Sequence, residues 1–151
     1  MASLTGLEGF LRKHRQIGLD SNILIYFIEG HSHYGRLTQR IFQSIESGQN
    51  TGVCSNLSLL EVLVEPYRKN NDELVNQFYS LLTTYPHLTW VSLSTEIADT
   101  GARLRAKYRL KTPDAILLAT TIHAGGTGFI GNDSYLKRVT ELDILTLGLA
   151  P

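Results

Sequence analysis

Short apolar segments alternate with longer segments of helical periodicity along this chain, and this alternation limits its possible folds more than any other feature. It is typical of a parallel sheet that is covered by helices on both faces. In such a sheet the carboxyl ends of the strands open at one edge, where ligands bind. The predicted strands are 17–20, 51–54, 88–91, 127–130 and 143–147, and the predicted helices are 2–16, 23–28, 37–48, 56–65, 72–85, 95–104, 112–124 and 134–138.

Composition narrows the class of protein further. The 151 residues are 42% hydrophobic and 19% charged, which predicts one domain over residues 1–151 with the helix at 1–16 preceding the first strand. The formal net charge is zero, so polyanion binding would depend on local patches. We see no signal peptide and no apolar run near the ~20 residues of a membrane span. A single cysteine suits a reducing cytoplasm.

The segment 112–124 is predicted to form a helix that is buried on most sides. Thr112 is expected to cap it, Asp114 falls in its first turn, and Gly125 or Gly126 can end it in the left-handed conformation. An acid in a first turn gains about 0.3–1 kcal/mol from the helix dipole without any function. A chemical role for Asp114 therefore depends on where the other carboxylates lie.

Four acidic residues are predicted at the carboxyl edge of the sheet. Asp20 ends the first strand, Glu61 lies in the helix after the second, Asp114 opens the buried helix, and Asp133 follows the fourth strand. Each has a structural alternative as a helix cap, a dipole partner or a surface residue. Leucines and valines surround Glu61, however, which predicts that it is buried and therefore paired.

Several carboxylates in one pocket repel one another and need a cation. Ligands that are all oxygen favour a hard divalent ion such as Mg²⁺ or Mn²⁺. Such an ion can activate water and stabilise the charge that develops on a phosphodiester. The chemistry that this pattern indicates is hydrolysis of a phosphate ester.

At these residues the sequence resembles the PIN-domain family of metal-dependent ribonucleases, especially the VapC-type toxins of toxin–antitoxin pairs. The resemblance implies a three-layer α/β/α fold around a short, mostly parallel sheet, and Mg²⁺- or Mn²⁺-dependent endonucleolytic cleavage of RNA. It also implies a homodimer and an antitoxin partner that blocks the site. The matching segments are 19–26, 58–63, 112–120 and 130–133, in family order.

The resemblance also implies a role for each matching residue. The four acids would bind the metal and carry out catalysis. Ser21 and Asn22 would orient Asp20 without binding the metal themselves, and Asn132 would lie beside the last acid. Where many members have threonine or serine ahead of the last acid, this chain has Gly131.

Basic residues near the last two acids could hold an RNA backbone beside the metal. Those that precede Asp114 could equally form a solvated helix end. Those that follow Asp133 are further candidates for phosphate contacts. The candidates are Arg103, Arg105, Lys107, Lys137 and Arg138.

Other functions compete with that of a toxin. A housekeeping RNA-processing nuclease of the same family would share every motif. A non-catalytic binding module would use the acids only as helix caps. A phosphotransferase of the haloacid dehalogenase type is disfavoured, because its chemistry needs a second aspartate where this chain has Asn22.

Overall fold

The computed structural model describes residues 2–148 and has a five-stranded sheet between two layers of helices. The strand order is β3-β2-β1-β4-β5, and every neighbouring pair is parallel. The predicted three-layer α/β/α class is confirmed. The strands are β1 (Gln16–Leu19), β2 (Thr51–Ser55), β3 (Leu88–Val91), β4 (Gly128–Gly131) and β5 (Asp143–Thr146).

Helices follow or connect the strands much as the periodicity predicts. No helix among residues 2–148 is long and apolar enough to cross a membrane. The helices are α1 (Leu4–Lys13), α2 (Ser21–Glu29), α3 (Gly35–Glu46), α4 (Asn56–Arg68), α5 (Asp72–Thr83), α6 (Thr95–Tyr108), α7 (Thr112–His123) and a short 3₁₀ helix (Ser134–Arg138).

The chain order reverses at β1, which makes this strand the centre of the sheet. From β1 the chain builds outward through β2 and β3 on one side, and then returns to place β4 and β5 on the other. Ligands of open parallel sheets bind at such a switch point, outside the carboxyl ends of the strands. Asp20 directly follows β1 and Asp133 lies just beyond β4, so both flank the switch point.

Helix α7 packs closely on β1 because the strand carries a glycine beneath it. A Cβ atom at Gly18 would lie 1.9 Å from Thr121 Oγ1, so no larger residue fits there without moving the helix. Leu118 and Ala119 of the same helix are fully buried. This packing confirms the prediction of a buried helix and anchors the element that carries Asp114.

One helix end differs from the sequence prediction. We predicted that α4 ends before Pro66, and this is wrong, because the helix continues to Arg68. Proline lacks an N–H donor and its ring crowds the carbonyl four residues earlier, but the next turn is still closed by the Lys69 N–H, which donates to Glu65 O at 3.1 Å. Pro66 itself is buried.

The start of α7 also differs by one residue. The N-cap position is Lys111, whose backbone is extended, and Thr112 is already helical, so the prediction of Thr112 as the cap is wrong. The Lys111 side chain makes no capping hydrogen bond. The predicted end is confirmed, since Gly125 has a left-handed φ of 85°.

Helix α1 is an integral part of the fold. Leu7 and Leu11 are buried in the core, and the buried His14 ties the helix end to the sheet. The Nε2 atom of His14 lies 2.7 Å from Asp143 Oδ2, and Nδ1 lies 2.7 Å from Thr127 Oγ1. The hydrogen bond from His14 is the main reason that the pKa of Asp143 lies below its usual value.

Replacing this histidine should therefore loosen α1. We expect His14→Ala to lower the free energy of unfolding by roughly 2–3 kcal/mol, because it leaves a cavity and removes the hydrogen bonds to Thr127 and Asp143. Urea denaturation at pH 7 measures this. His33→Ala, at an exposed position, is the control and should change stability by less than about 0.5 kcal/mol. Equal effects of the two substitutions would contradict the conclusion that His14 attaches α1 to the sheet.

Candidate active site

Asp20 is a buried carboxylate at the carboxyl end of β1. It occupies the N-cap position of α2, yet its side chain makes no capping hydrogen bond, and only 8% of the residue is exposed. Burial, and after it the negative charge of Asp114, raise its pKa to about 6. The backbone N–H groups of Ser21 and Asn22 offset part of this rise. The N–H groups at the start of α2 therefore compensate only in part for the burial of the Asp20 carboxylate.

Gly131 leaves the space that this carboxylate occupies. A Cβ atom at position 131 would lie 3.2 Å from Asp20 Oδ2, closer than most side-chain contacts. A threonine or serine, found there in many members of the family that the sequence resembles, would require the Asp20 carboxylate to shift by a few tenths of an ångström. The absence of a side chain at Gly131 thus leaves the space that the Asp20 carboxylate occupies.

Glu61 is exposed, and the prediction that it is buried is wrong. The apolar residues next to it in sequence lie on other faces of α4, and Leu60 is itself 60% exposed. A hydrogen bond holds the Glu61 side chain instead, since Ser21 Oγ donates to Glu61 Oε1 at 2.8 Å. Ser58 Oγ lies 2.8 Å from Ser21 Oγ. Because one hydroxyl has one proton, Ser58 donates to Ser21 while Ser21 donates to the carboxylate.

Ser21 therefore links two of the acids. Its hydroxyl orients Glu61, and its backbone N–H faces Asp20. Asn22 faces Asp20 through its backbone N–H alone, and this residue is exposed. The first turn of α2 thus contacts the carboxylates that follow β1 and β2.

Asp114 is half-buried in the first turn of α7. Burial raises its pKa, and the charges of Asp133 and Glu61 raise it further, while the nearby Lys111 ammonium lowers it. Its environment thus combines partial desolvation with repulsion from two other acids. The dipole of α7 alone would lower this pKa, so burial and the neighbouring acids together outweigh it.

Asp133 and Asn132 have structural partners. Asp133 is exposed and caps the 3₁₀ helix, because its Oδ1 accepts from the Tyr135 N–H at 2.9 Å. Asn132 Nδ2 donates to Tyr26 Oη at 3.0 Å, and Asn132 Oδ1 is buried without a hydrogen-bond partner among residues 2–148. Asn132 therefore joins the loop after β4 to α2.

The four acids interact through their charges without forming a closed cluster. In residues 2–148, no three His, Cys, Asp or Glu side chains lie close enough together to hold a metal ion as they stand. Carboxylates repel one another, so a cation would have to draw them together. The donor atoms are all carboxylate oxygens, and the pKa values of Asp20 and Asp114 are raised first by burial and then by the negative charge of neighbouring acids. This donor set fits a hard divalent ion.

The five basic residues predicted to contact RNA fall into two groups, those in ion pairs and those without. Arg103 pairs with Asp99 at 2.5 Å and Lys107 with Glu141 at 3.7 Å. The Arg138 guanidinium lies 4.1 Å from the centre of the Tyr135 ring. Arg138, Arg105 and Lys137 form the second group, since none of them has an ion-pair partner within the described chain.

Sequence reasoning missed two residues that contribute to the site. Ser58 supports the Ser21–Glu61 hydrogen bond, and its spacing was a usable signal, since residues three apart share a helix face. Tyr26 holds Asn132 across 106 positions of sequence. No local pattern predicts a contact of that separation.

Comparison with known proteins places this arrangement in a family. The sequence profile of the PIN domain matches residues 17–142. The chain belongs to the PIN-domain family. Helix α1 precedes the matched PIN region and β5 follows it. No curated protein is similar enough to match the chain.

Solved structures share the PIN fold of this chain at low sequence identity. A toxin–antitoxin complex from Klebsiella pneumoniae has a TM-score of 0.64 at 24% identity, over 86% of this chain and 96% of that one. VapBC2 from Rickettsia felis, bound to promoter DNA, has a TM-score of 0.66 at 17% identity, over 87% of this chain and 98% of that one. The Mycobacterium tuberculosis toxin VapC20, which cleaves the sarcin–ricin loop, has a TM-score of 0.59 at 10% identity, over 75% of this chain and 86% of that one.

The raised pKa of Asp20 predicts how pH affects stability. The folded protein holds the Asp20 proton more tightly than the unfolded chain does, so the contribution of this residue to stability falls as pH rises from about 4 to about 6. In EDTA at pH 7, Asp20→Asn should therefore raise the free energy of unfolding by up to about 3 kcal/mol, with little gain at pH 4.

Urea titrations at the two pH values test this expectation. Asp99→Asn, at an exposed site paired with Arg103, is the matched control and should gain nothing at either pH. A loss of stability in Asp20→Asn at pH 7 would show that the ionised Asp20 carboxylate does not destabilise the fold.

Proposed function

We propose that this chain is a Mg²⁺- or Mn²⁺-dependent endoribonuclease and the toxin of a toxin–antitoxin pair. The observation that carries the proposal is that Asp20 and Asp114, one buried and one half-buried, both have raised pKa values through burial and the charges of neighbouring acids, at the switch point of a PIN fold. The similarity to VapC-type structures supports the toxin role. We also propose that residues 1–151 form one PIN domain.

The chain's own residues have distinct tasks in this mechanism. Asp20 and Asp114 would bind the ion directly, Glu61 would join them in the orientation set by Ser21, and Asp133 would complete the set from the loop after β4. When bound, the ion supplies an activated water and stabilises charge on the phosphodiester. Lys111, which already lowers the pKa of Asp114, also reduces repulsion of the RNA phosphates.

RNA binding would use the cations that are free to contact phosphate. Arg105 and Lys137 are unpaired in the described chain, and Arg138 keeps donors available while it stacks on Tyr135. Arg103 and Lys107 would first have to exchange an acidic partner. The formal net charge of zero makes such local cations necessary.

An apolar surface on α4 supports a protein partner. Leu60 is 60% exposed and Tyr67 is 59% exposed. Together with Leu63 and Val64 they line a groove of about 490 Å³. Exposed apolar patches of this kind mark protein interaction sites. We propose that an antitoxin or a second copy of the chain covers this surface.

Two other functions remain candidates. A housekeeping RNA-processing nuclease would use the same site without an antitoxin. A non-catalytic binding module would keep Asp133 as a helix cap, which the Tyr135 N–H contact favours for that one residue. The buried Asp20, whose pKa stays above its usual value despite the N–H groups of α2, argues against this alternative for the site as a whole.

Cleavage of a mixed pool of RNAs tests the nuclease. We expect cutting with Mg²⁺ or Mn²⁺, none in EDTA, and a loss of at least about 100-fold in Asp20→Asn and in Asp114→Asn, since each removes a ligand charge that stabilises the transition state. Asp99→Asn is the control and should cut at the wild-type rate. Cutting that survives EDTA or either active-site substitution would reject the mechanism.

Substitution on α4 tests the partner surface. Tyr67→Asp should weaken self-association or antitoxin binding at least about tenfold, because a buried charge opposes docking of an apolar surface. Analytical ultracentrifugation and titration with the protein encoded beside this chain measure both. Tyr79→Asp, on α5 and 51% exposed, is the control. Equal behaviour of the two variants would remove α4 as the interface.

A further inference from the structure

An apolar groove of about 290 Å³ lies between α6, α7 and the segment after β3. Its α7 wall is formed by Thr112, Ala115 and Ile116, which flank Asp114 in sequence. Leu93 follows β3 at the carboxyl edge of the sheet and remains 55% exposed. The groove therefore lies beside the first turn of α7, which carries one of the candidate metal ligands.

The α6 wall of the groove is made of small residues and one cation. Ala98, Gly101 and Ala102 leave the space open. Among the described residues that line the groove, Arg105 alone is charged. Arg103, two residues earlier on the same helix, is held by Asp99, whereas Arg105 has no ion-pair partner in residues 2–148.

We propose that this groove binds one nucleobase of the RNA substrate next to the phosphodiester that is cut, and that Arg105 binds the adjacent phosphate. Proteins recognise single-stranded RNA by placing splayed bases against apolar or guanidinium surfaces and by pairing cations with the backbone. The volume is at the low end for small-ligand sites, which suits a single base. The inference rests on the proposed ribonuclease function.

The charges around the site favour RNA as the occupant. An RNA strand that approaches the four acids needs cations along its path, because both are negatively charged. Arg105 is the unpaired cation that also borders an apolar space. An apolar peptide would gain from the walls but would have no use for the lone guanidinium, so the combination favours a base with its phosphate.

Binding of a short single-stranded RNA tests the role of Arg105. Fluorescence anisotropy on the Asp20→Asn background keeps the RNA intact. We expect Arg105→Gln to raise Kd about tenfold and to reduce the slope of log Kd against log salt by about 0.7, the value for one phosphate contact in a single strand. Arg103→Gln is the matched control on the same helix and should change neither quantity.

Filling the groove tests the base. A set of RNAs, each with one abasic nucleotide, should reveal a position at which loss of the base weakens binding about tenfold. Ala102→Phe should abolish that sensitivity, because the phenyl ring takes the place of the base. Ala106→Phe, at an exposed position one turn farther along α6 that does not line the groove, should retain it.

Two results would overturn the assignment. One is a set of abasic RNAs in which no position stands out, or in which Ala102→Phe and Ala106→Phe behave alike. The other is a change of sedimentation in Ala102→Phe, which would make the groove an interface between protein chains. Binding is measured without cleavage, so a failure of the metal-dependent nuclease would be seen separately, in the cleavage of the RNA pool.

Discussion

Burial of the Asp20 carboxylate beside Asp114 is the interaction on which the rest of the site depends. Water would solvate the charge of an exposed aspartate, but Asp20 is buried at the end of β1, and the charge of Asp114 adds repulsion. The folded chain therefore carries an unfavourable charge arrangement that only a proton or a cation relieves. Destabilised functional sites of this kind are common, because activity requires groups that the fold alone would not retain.

The topology of the sheet creates this arrangement. The strand order reverses at β1, between β1 and β4, where open parallel sheets form a crevice outside the strand ends, and two acids follow these strands. Gly18 brings α7 against the sheet, and Gly131 leaves room for the Asp20 carboxylate. The hydroxyl of Ser21 then turns Glu61, which is exposed, toward the other acids.

Local patterns in the sequence predict the order of helices and strands, because apolar periodicity and glycine positions act over a few residues. They also place Asp20 and Asp114 at one edge, since parallel strands share their carboxyl ends. Local patterns do not predict the exposure of Glu61, because its burial depends on which face of α4 packs against the core. The Tyr26–Asn132 contact was equally beyond them, as it joins distant parts of the chain.

Crystals grown with MnCl₂ would test the central claim most directly, because the anomalous signal of manganese locates the ion without reference to activity. The account predicts one dominant peak within bonding distance, about 2.0–2.4 Å, of carboxylate oxygens from both Asp20 and Asp114, with the Glu61 side chain drawn toward it. A peak elsewhere on the surface, or none between these two aspartates at millimolar Mn²⁺, would contradict it.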